Sequence, residues 1–109
     1  MNRKKPQPVY HAHDQIRITD HAAERFICRS IENKLDVKTF NCENQLRNLV
    51  RVSRPIRVSK KFKAMAMINN KFALCEYRFC NGWIMIIKNN TLLTVYRGKL
   101  GIDFRWFHK

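Results

Sequence analysis

At 109 residues the chain is one domain, large enough for a modest core without cross-links. It carries 22 Lys and Arg against 8 Asp and Glu, a formal net charge of +14 with a sequence pI near 10.3, which points to a polyanionic partner, most simply nucleic acid. The sequence has no apolar run of about 18 residues to span a bilayer, and the basic start Met1-Asn2-Arg3-Lys4-Lys5 leads into Pro6 and Pro8 rather than a signal-peptide core, so a cytoplasmic location without a membrane partner is expected.

Residues 1–15 are basic, proline-bearing and aperiodic, and read as an arm preceding a single α+β domain over 16–109. Ile16 and Ile18 suit a short edge strand. Thr19-Asp20 supplies N-cap chemistry for a helix from about His21 to Ser30 or Ile31. Ala22, Ala23, Phe26, Ile27 and Ile31 line its apolar stripe, while His21, Arg25, Cys28 and Arg29 follow an adjacent one. His21 sits in the first turn, where the helix dipole favours a neutral imidazole and attracts anions. A second helix is expected over Cys42 to Arg51, with Asn41 as its cap and Leu46, Leu49 and Val50 as its apolar edge. Arg54-Pro55 ends it. Arg47, Arg51, Arg54, Arg57, Lys60, Lys61 and Lys63 then make the densest cationic stretch, suited to tracking phosphates.

From Phe62 to Tyr96 the pattern predicts a four-stranded antiparallel meander turned at Asn69-Asn70, Asn81-Gly82 and Asn89-Asn90. Counting outward from those turns puts Phe62, Ala64, Ala66, Ala73, Cys75, Tyr77, Phe79, Ile84, Ile86, Leu93 and Val95 on a core face. The opposite face then gathers Lys61, Lys63, Glu76, Arg78, Trp83, Met85, Thr94 and Tyr96 at one end. Ile102 to Lys109, with Phe104, Trp106 and Phe107, is expected to dock as a further strand or covering segment that positions Arg105 and His108. Cys28, Cys42, Cys75 and Cys80 lack Cys-x-x-Cys spacing and read as reduced, mostly buried small hydrophobes; neither a metal nor a cofactor is expected.

Two helices packed on a four-stranded meander, opening with Thr19-Asp20-His21-Ala22-Ala23-Glu24-Arg25 and closing with Thr94-Val95-Tyr96, resemble the RelE-type toxin fold. That superfamily also takes in barnase, tRNA-cutting colicins and EndoU nucleases, and the two motifs are most similar to its uncharacterised phage and bacterial branch. The resemblance implies a metal-independent endoribonuclease in which the ribose 2′-hydroxyl attacks the adjacent phosphorus. Its substrate would be tRNA or mRNA, and a protein antitoxin or host factor would be a partner.

His21 or Glu76 is then the candidate base. Arg25, Arg78, Lys61 and Lys63 would hold phosphoryl oxygens, with Thr94 as a further donor. Tyr96 or His108 would deliver the leaving-group proton. Trp83 would stack an unpaired base, and Arg29, Arg54, Arg57, Lys60 and Arg105 would contact the strand. No second histidine lies in the meander, where several relatives have one. Two competing expectations are therefore a nucleic-acid-binding protein without chemistry and a protein that blocks an acidic host partner.

Overall fold

The computed structural model describes residues 16–35, 41–70 and 75–107, with backbone only for 66–70. The expected arm over 1–15 and His108 lie outside the described residues. The chain is α+β, and its elements in order are β1 (Arg17–Ile18), α1 (Asp20–Glu32), α2 (Cys42–Val52), β2 (Arg54–Val58), α3 (Lys60–Asn70), β3 (Glu76–Cys80), β4 (Trp83–Lys88), β5 (Thr91–Arg97) and β6 (Phe104–Trp106). The strands form one six-stranded sheet in the order β1-β5-β4-β3-β2-β6. Among the described strand pairs β1–β5 is parallel and the others are antiparallel. No helix among the described residues is long and apolar enough to cross a membrane.

Thr19 starts α1 and ties it to the sheet. Its hydroxyl oxygen accepts from the Ala22 N–H at 3.0 Å and lies 3.1 Å from the carbonyls of both Leu92 and Leu93, to which the hydroxyl donates. One side chain therefore caps the helix and fixes it against β5, a role typically worth about 1 kcal/mol from the cap alone. Ala22, Phe26 and Ser30 form the buried line of α1, whereas Ile31, expected on the apolar stripe, is exposed. Asn41 occupies the N-cap position of α2 but makes no side-chain cap bond. Leu46 and Val50 bury α2 against the same sheet face as α1, in a core with Phe26, Trp83, Met85, Ile87, Leu92 and Val95.

The expected Asn81-Gly82 and Asn89-Asn90 turns form as two-residue reversals. Asn81, Asn89 and Asn90 have φ of 55°, 53° and 56° and Gly82 has 89°, so all four positions are left-handed. The β3–β4 register follows by counting, with Cys80 opposite Trp83, Arg78 opposite Met85 and Glu76 opposite Ile87.

Three features depart from the expected meander. Lys60–Asn70 is helix rather than strand, and Asn69-Asn70 belongs to that helix instead of forming a turn. The Ser59 hydroxyl accepts from the Phe62 N–H at 3.1 Å and caps it, and Lys, Ala and Met are strong helix formers, so local propensity defeats an alternation that fits either period. The fourth meander strand is instead β2, which pairs with β3 through Arg54–Phe79 and Pro55–Arg78 and then with β6 through Ile56, Arg57 and Val58.

The third departure is a bulge. Ile87 faces Leu92 but Ile86 faces Thr94, so Leu93 is an extra residue and every β5 side chain beyond it changes face. Val95 therefore joins the core under α1 and α2, while Tyr96 joins Ile56, Phe62, Ile84, Ile86 and Phe104 in a second core on the opposite face. Both faces of the central strands are apolar. β4 carries five buried residues in succession from Trp83 to Ile87, a pattern suited to a strand covered on both sides.

Candidate nucleic-acid interface

The polar cluster expected at one end of the sheet does not assemble. Arg78 is 2% exposed and faces α2; its Nε donates to Ser53 Oγ at 2.7 Å, Nη2 to the Ser53 carbonyl at 2.6 Å and Nη1 to Glu76 Oε2 at 2.8 Å. A guanidinium held this way clamps the end of α2 to β3. Thr94 is buried, and its hydroxyl has no hydrogen-bond partner among the described residues.

Trp83 is 3% exposed, packed on Phe26 with ring centroids 4.9 Å apart, and its ring is covered by the Arg97 guanidinium at 4.8 Å, so it offers no bare platform. Tyr96 lies on the other face, edge-on to Phe62 at 5.3 Å, with the Arg29 guanidinium 4.7 Å from its ring centre. The bulge separates Tyr96 from Trp83 and Arg78. His21 and Arg25 stay exposed on α1. At 1.5 Å of rise per residue, His21 is roughly 12 Å along the helix from Arg29, too far for both to grip one phosphate beside Tyr96.

Cationic residues gather instead at the β2–β6 edge and the start of α3. Arg57 and Arg105 are direct cross-strand partners and both are exposed. Side chains alternate, and Ile56 and Phe104 turn into the second core, so the two arginines share the opposite face. Like charges placed directly opposite destabilise a strand pair unless an anion bridges them. The Arg57 guanidinium also lies 5.2 Å from the centre of the exposed Phe107 ring, and Arg54 lies 4.4 Å from that of Trp106 on the other face. Such stacking holds the guanidinium planes flat and leaves their N–H edges available.

Lys63 arrives from α3. It shares with Arg57, Glu76 and Phe107 a recess of about 240 Å³, in which the Glu76 carboxylate is engaged by Arg78. Lys60 and Lys61 extend the patch, both exposed in the first turn of α3, whose start is anchored by a 2.8 Å bond from the Ser59 N–H to the Asp103 carbonyl. Lys63 and Glu76, expected on one face of the meander, thus line one recess by another route.

Sequence reading missed the pairing of Arg54 with Trp106 and of Arg57 with Phe107. The signal was the alternation of Ile56 and Val58 through Arg54-Pro55-Ile56-Arg57-Val58, overridden by the proline, which is uncommon inside sheets. It also missed Ser53, which both ends α2 and holds Arg78. Compared with protein-family models, curated proteins and solved structures, the chain matches none.

Proposed function

We propose that the protein binds single-stranded RNA along the β2–β6 edge and the first turn of α3. The observation that carries this reading is the exposed Arg57–Arg105 pair, two like charges in register with the exposed Phe107 ring against one of them. Phosphates bridging the pair remove its repulsion, while Phe107 and the flat guanidinium planes offer stacking surfaces to unpaired bases. The net charge of +14 supplies long-range attraction. Fluorescence anisotropy with a short labelled RNA tests it: Arg57→Glu should weaken binding at least ~10-fold, about 1.4 kcal/mol, and Arg105→Glu likewise. A protein that binds no RNA at low salt would favour an acidic protein partner instead.

Cleavage is the second reading, in keeping with the RelE-like resemblance, and the contact of Arg29 with Tyr96 beside exposed Arg25 favours it. Arg25 and Arg29 would hold the phosphoryl oxygens. The 2′-oxygen would bond to phosphorus as the bond to the 5′-oxygen breaks, leaving a cyclic phosphate, and Tyr96 would give its proton to the departing oxygen. The 2′-hydroxyl proton would pass through water to His21, the candidate base on that helix, which lies too far along it to take the proton directly. Incubation with RNA without added metal decides the matter: cyclic-phosphate ends that vanish in Tyr96→Phe support cleavage, and intact bound RNA leaves binding alone.

A further inference from the structure

A second recess, of about 520 Å³, opens between α1, α2 and the β3–β4 turn, and its chemistry differs from that of the cationic edge. Its lining includes Phe26, Leu49 and Val52 together with Asn48 and Asn81. The Asn48 side-chain oxygen accepts from Arg51 Nη2 at 3.2 Å, so the amide N–H edge is what Asn48 has left to donate. Arg97 completes it: the guanidinium lies 4.8 Å over the Trp83 ring, and Nη1 donates to the Asn81 carbonyl at 3.3 Å. Gly82, at φ +89°, permits this, because a β-carbon there would collide with the guanidinium. Burial pushes the Arg97 pKa below its ordinary value, consistent with a cation pressed onto an apolar ring.

The volume lies within the roughly 300–1,000 Å³ typical of small-molecule sites. Apolar walls, a fixed guanidinium plane and neutral amides that both donate and accept suit a flat heteroaromatic ring with a hydrogen-bonding edge. Among the described lining residues a stretch of bare phosphates would meet Arg97 as its cation against largely apolar walls, and an apolar helix would leave the amides unpaired.

We propose that this cavity takes one unpaired nucleobase of the bound strand, stacked on the Arg97 plane that Trp83 backs, with its edge read by Asn48 and Asn81. The proposal rests on the RNA-binding reading and names the part of the strand that gives it base selectivity.

The test is a ¹⁵N NMR titration of the whole chain with each of the four nucleoside monophosphates, followed by single-stranded RNA. At least one monophosphate should move the side-chain amide signals of Asn48 and Asn81 and the indole signal of Trp83. Leu49→Trp, which fills the cavity, and Asn48→Leu, at an exposed position where folding is not at stake, should suppress the movement and weaken RNA binding at least five-fold. RNA that binds while the cavity signals stay fixed, or shifts that persist in both variants, would overturn the proposal and leave the edge reading standing. Monophosphates that move the cavity signals in a protein that binds no RNA would keep the base site and sink the strand-binding reading.

Discussion

The guanidinium of Arg78 grips Ser53 twice, donating from Nε to its hydroxyl and from Nη2 to its carbonyl, and so locks the end of α2 onto the middle of β3. The Ser53 hydroxyl in turn donates to the Val50 carbonyl inside the last turn of α2, so one serine closes the helix and receives the arginine. Removing the arginine leaves the buried Ser53 carbonyl without its donor, at a cost of about 1–3 kcal/mol, while the Glu76 side chain, 38% exposed, is not left as a buried charge. Arg78→Ala should therefore lower urea-unfolding stability by that order. RNA affinity of the fraction that remains folded should stay near wild type. A large affinity loss with unchanged stability would restore Arg78 to the site from which its burial removes it.

Arg57 and Arg105 make the opposite prediction. Their repulsion costs the folded protein a few tenths of a kcal/mol in the absence of an anion. Arg57→Ala should thus hold or slightly raise the thermal midpoint while it weakens RNA binding. Scattered surface charges would show neither effect in combination.

Thr94 offers a third trial. Its hydroxyl is buried without a partner among the described residues. Replacing such a hydroxyl by a methyl removes a desolvation penalty of about 1–3 kcal/mol. Thr94→Val should stabilise the protein by roughly 1 kcal/mol or more in chemical unfolding. Loss of RNA cleavage in this variant would instead mark the hydroxyl as part of the chemistry.

High pH should loosen the fold. Burial raises the thiol pKa of Cys42, Cys75 and Cys80 above the ordinary 9.0; Glu43 adds to the effect at Cys42, and Lys88 partly offsets it at Cys75. Burial likewise raises Tyr77 above 10.0. A group that keeps its proton longer when folded than when unfolded contributes stability in full below its unfolded pKa and loses it as pH rises through the folded one. The urea midpoint should hold to about pH 9 and fall above it, and replacing these three thiols with alanine should flatten the decline. Cys28, the exposed cysteine, should be the first that iodoacetamide modifies at neutral pH.

The helical opening and the two Asn-centred hairpins were legible because each is written in local chemistry: Thr19 as a cap, and Asn81-Gly82 and Asn89-Asn90 at left-handed backbone positions. The pairing of β3 with β4 then followed by arithmetic. What sequence reading lost was non-local. A bulge at Leu93 has no signature in a run such as Thr91-Leu92-Leu93-Thr94-Val95, yet it decides which face Thr94 and Tyr96 occupy. Lys60 to Met67 satisfies both strand and helix periods, and the Ser59 cap was the signal that could have decided between them. Counting across Leu93 as regular strand places Tyr96 and Thr94 on the face of Arg78, whereas the bulge turns them to the opposite one. The two apolar parities of Trp83 to Ile87 already argued that neither face of the sheet is wet.

The measurement that tests the RNA-binding account most directly is the salt dependence of single-stranded RNA affinity in wild type and in the double variant Arg57→Ala/Arg105→Ala. Removing one cation that neutralises a phosphate should make the slope of log affinity against log salt shallower by about 0.7. The edge account predicts weakened binding and a slope shallower by about 1.4 in the double variant, with the fold intact. Equal affinity and an equal slope in the two proteins would place the RNA elsewhere on the molecule and contradict it.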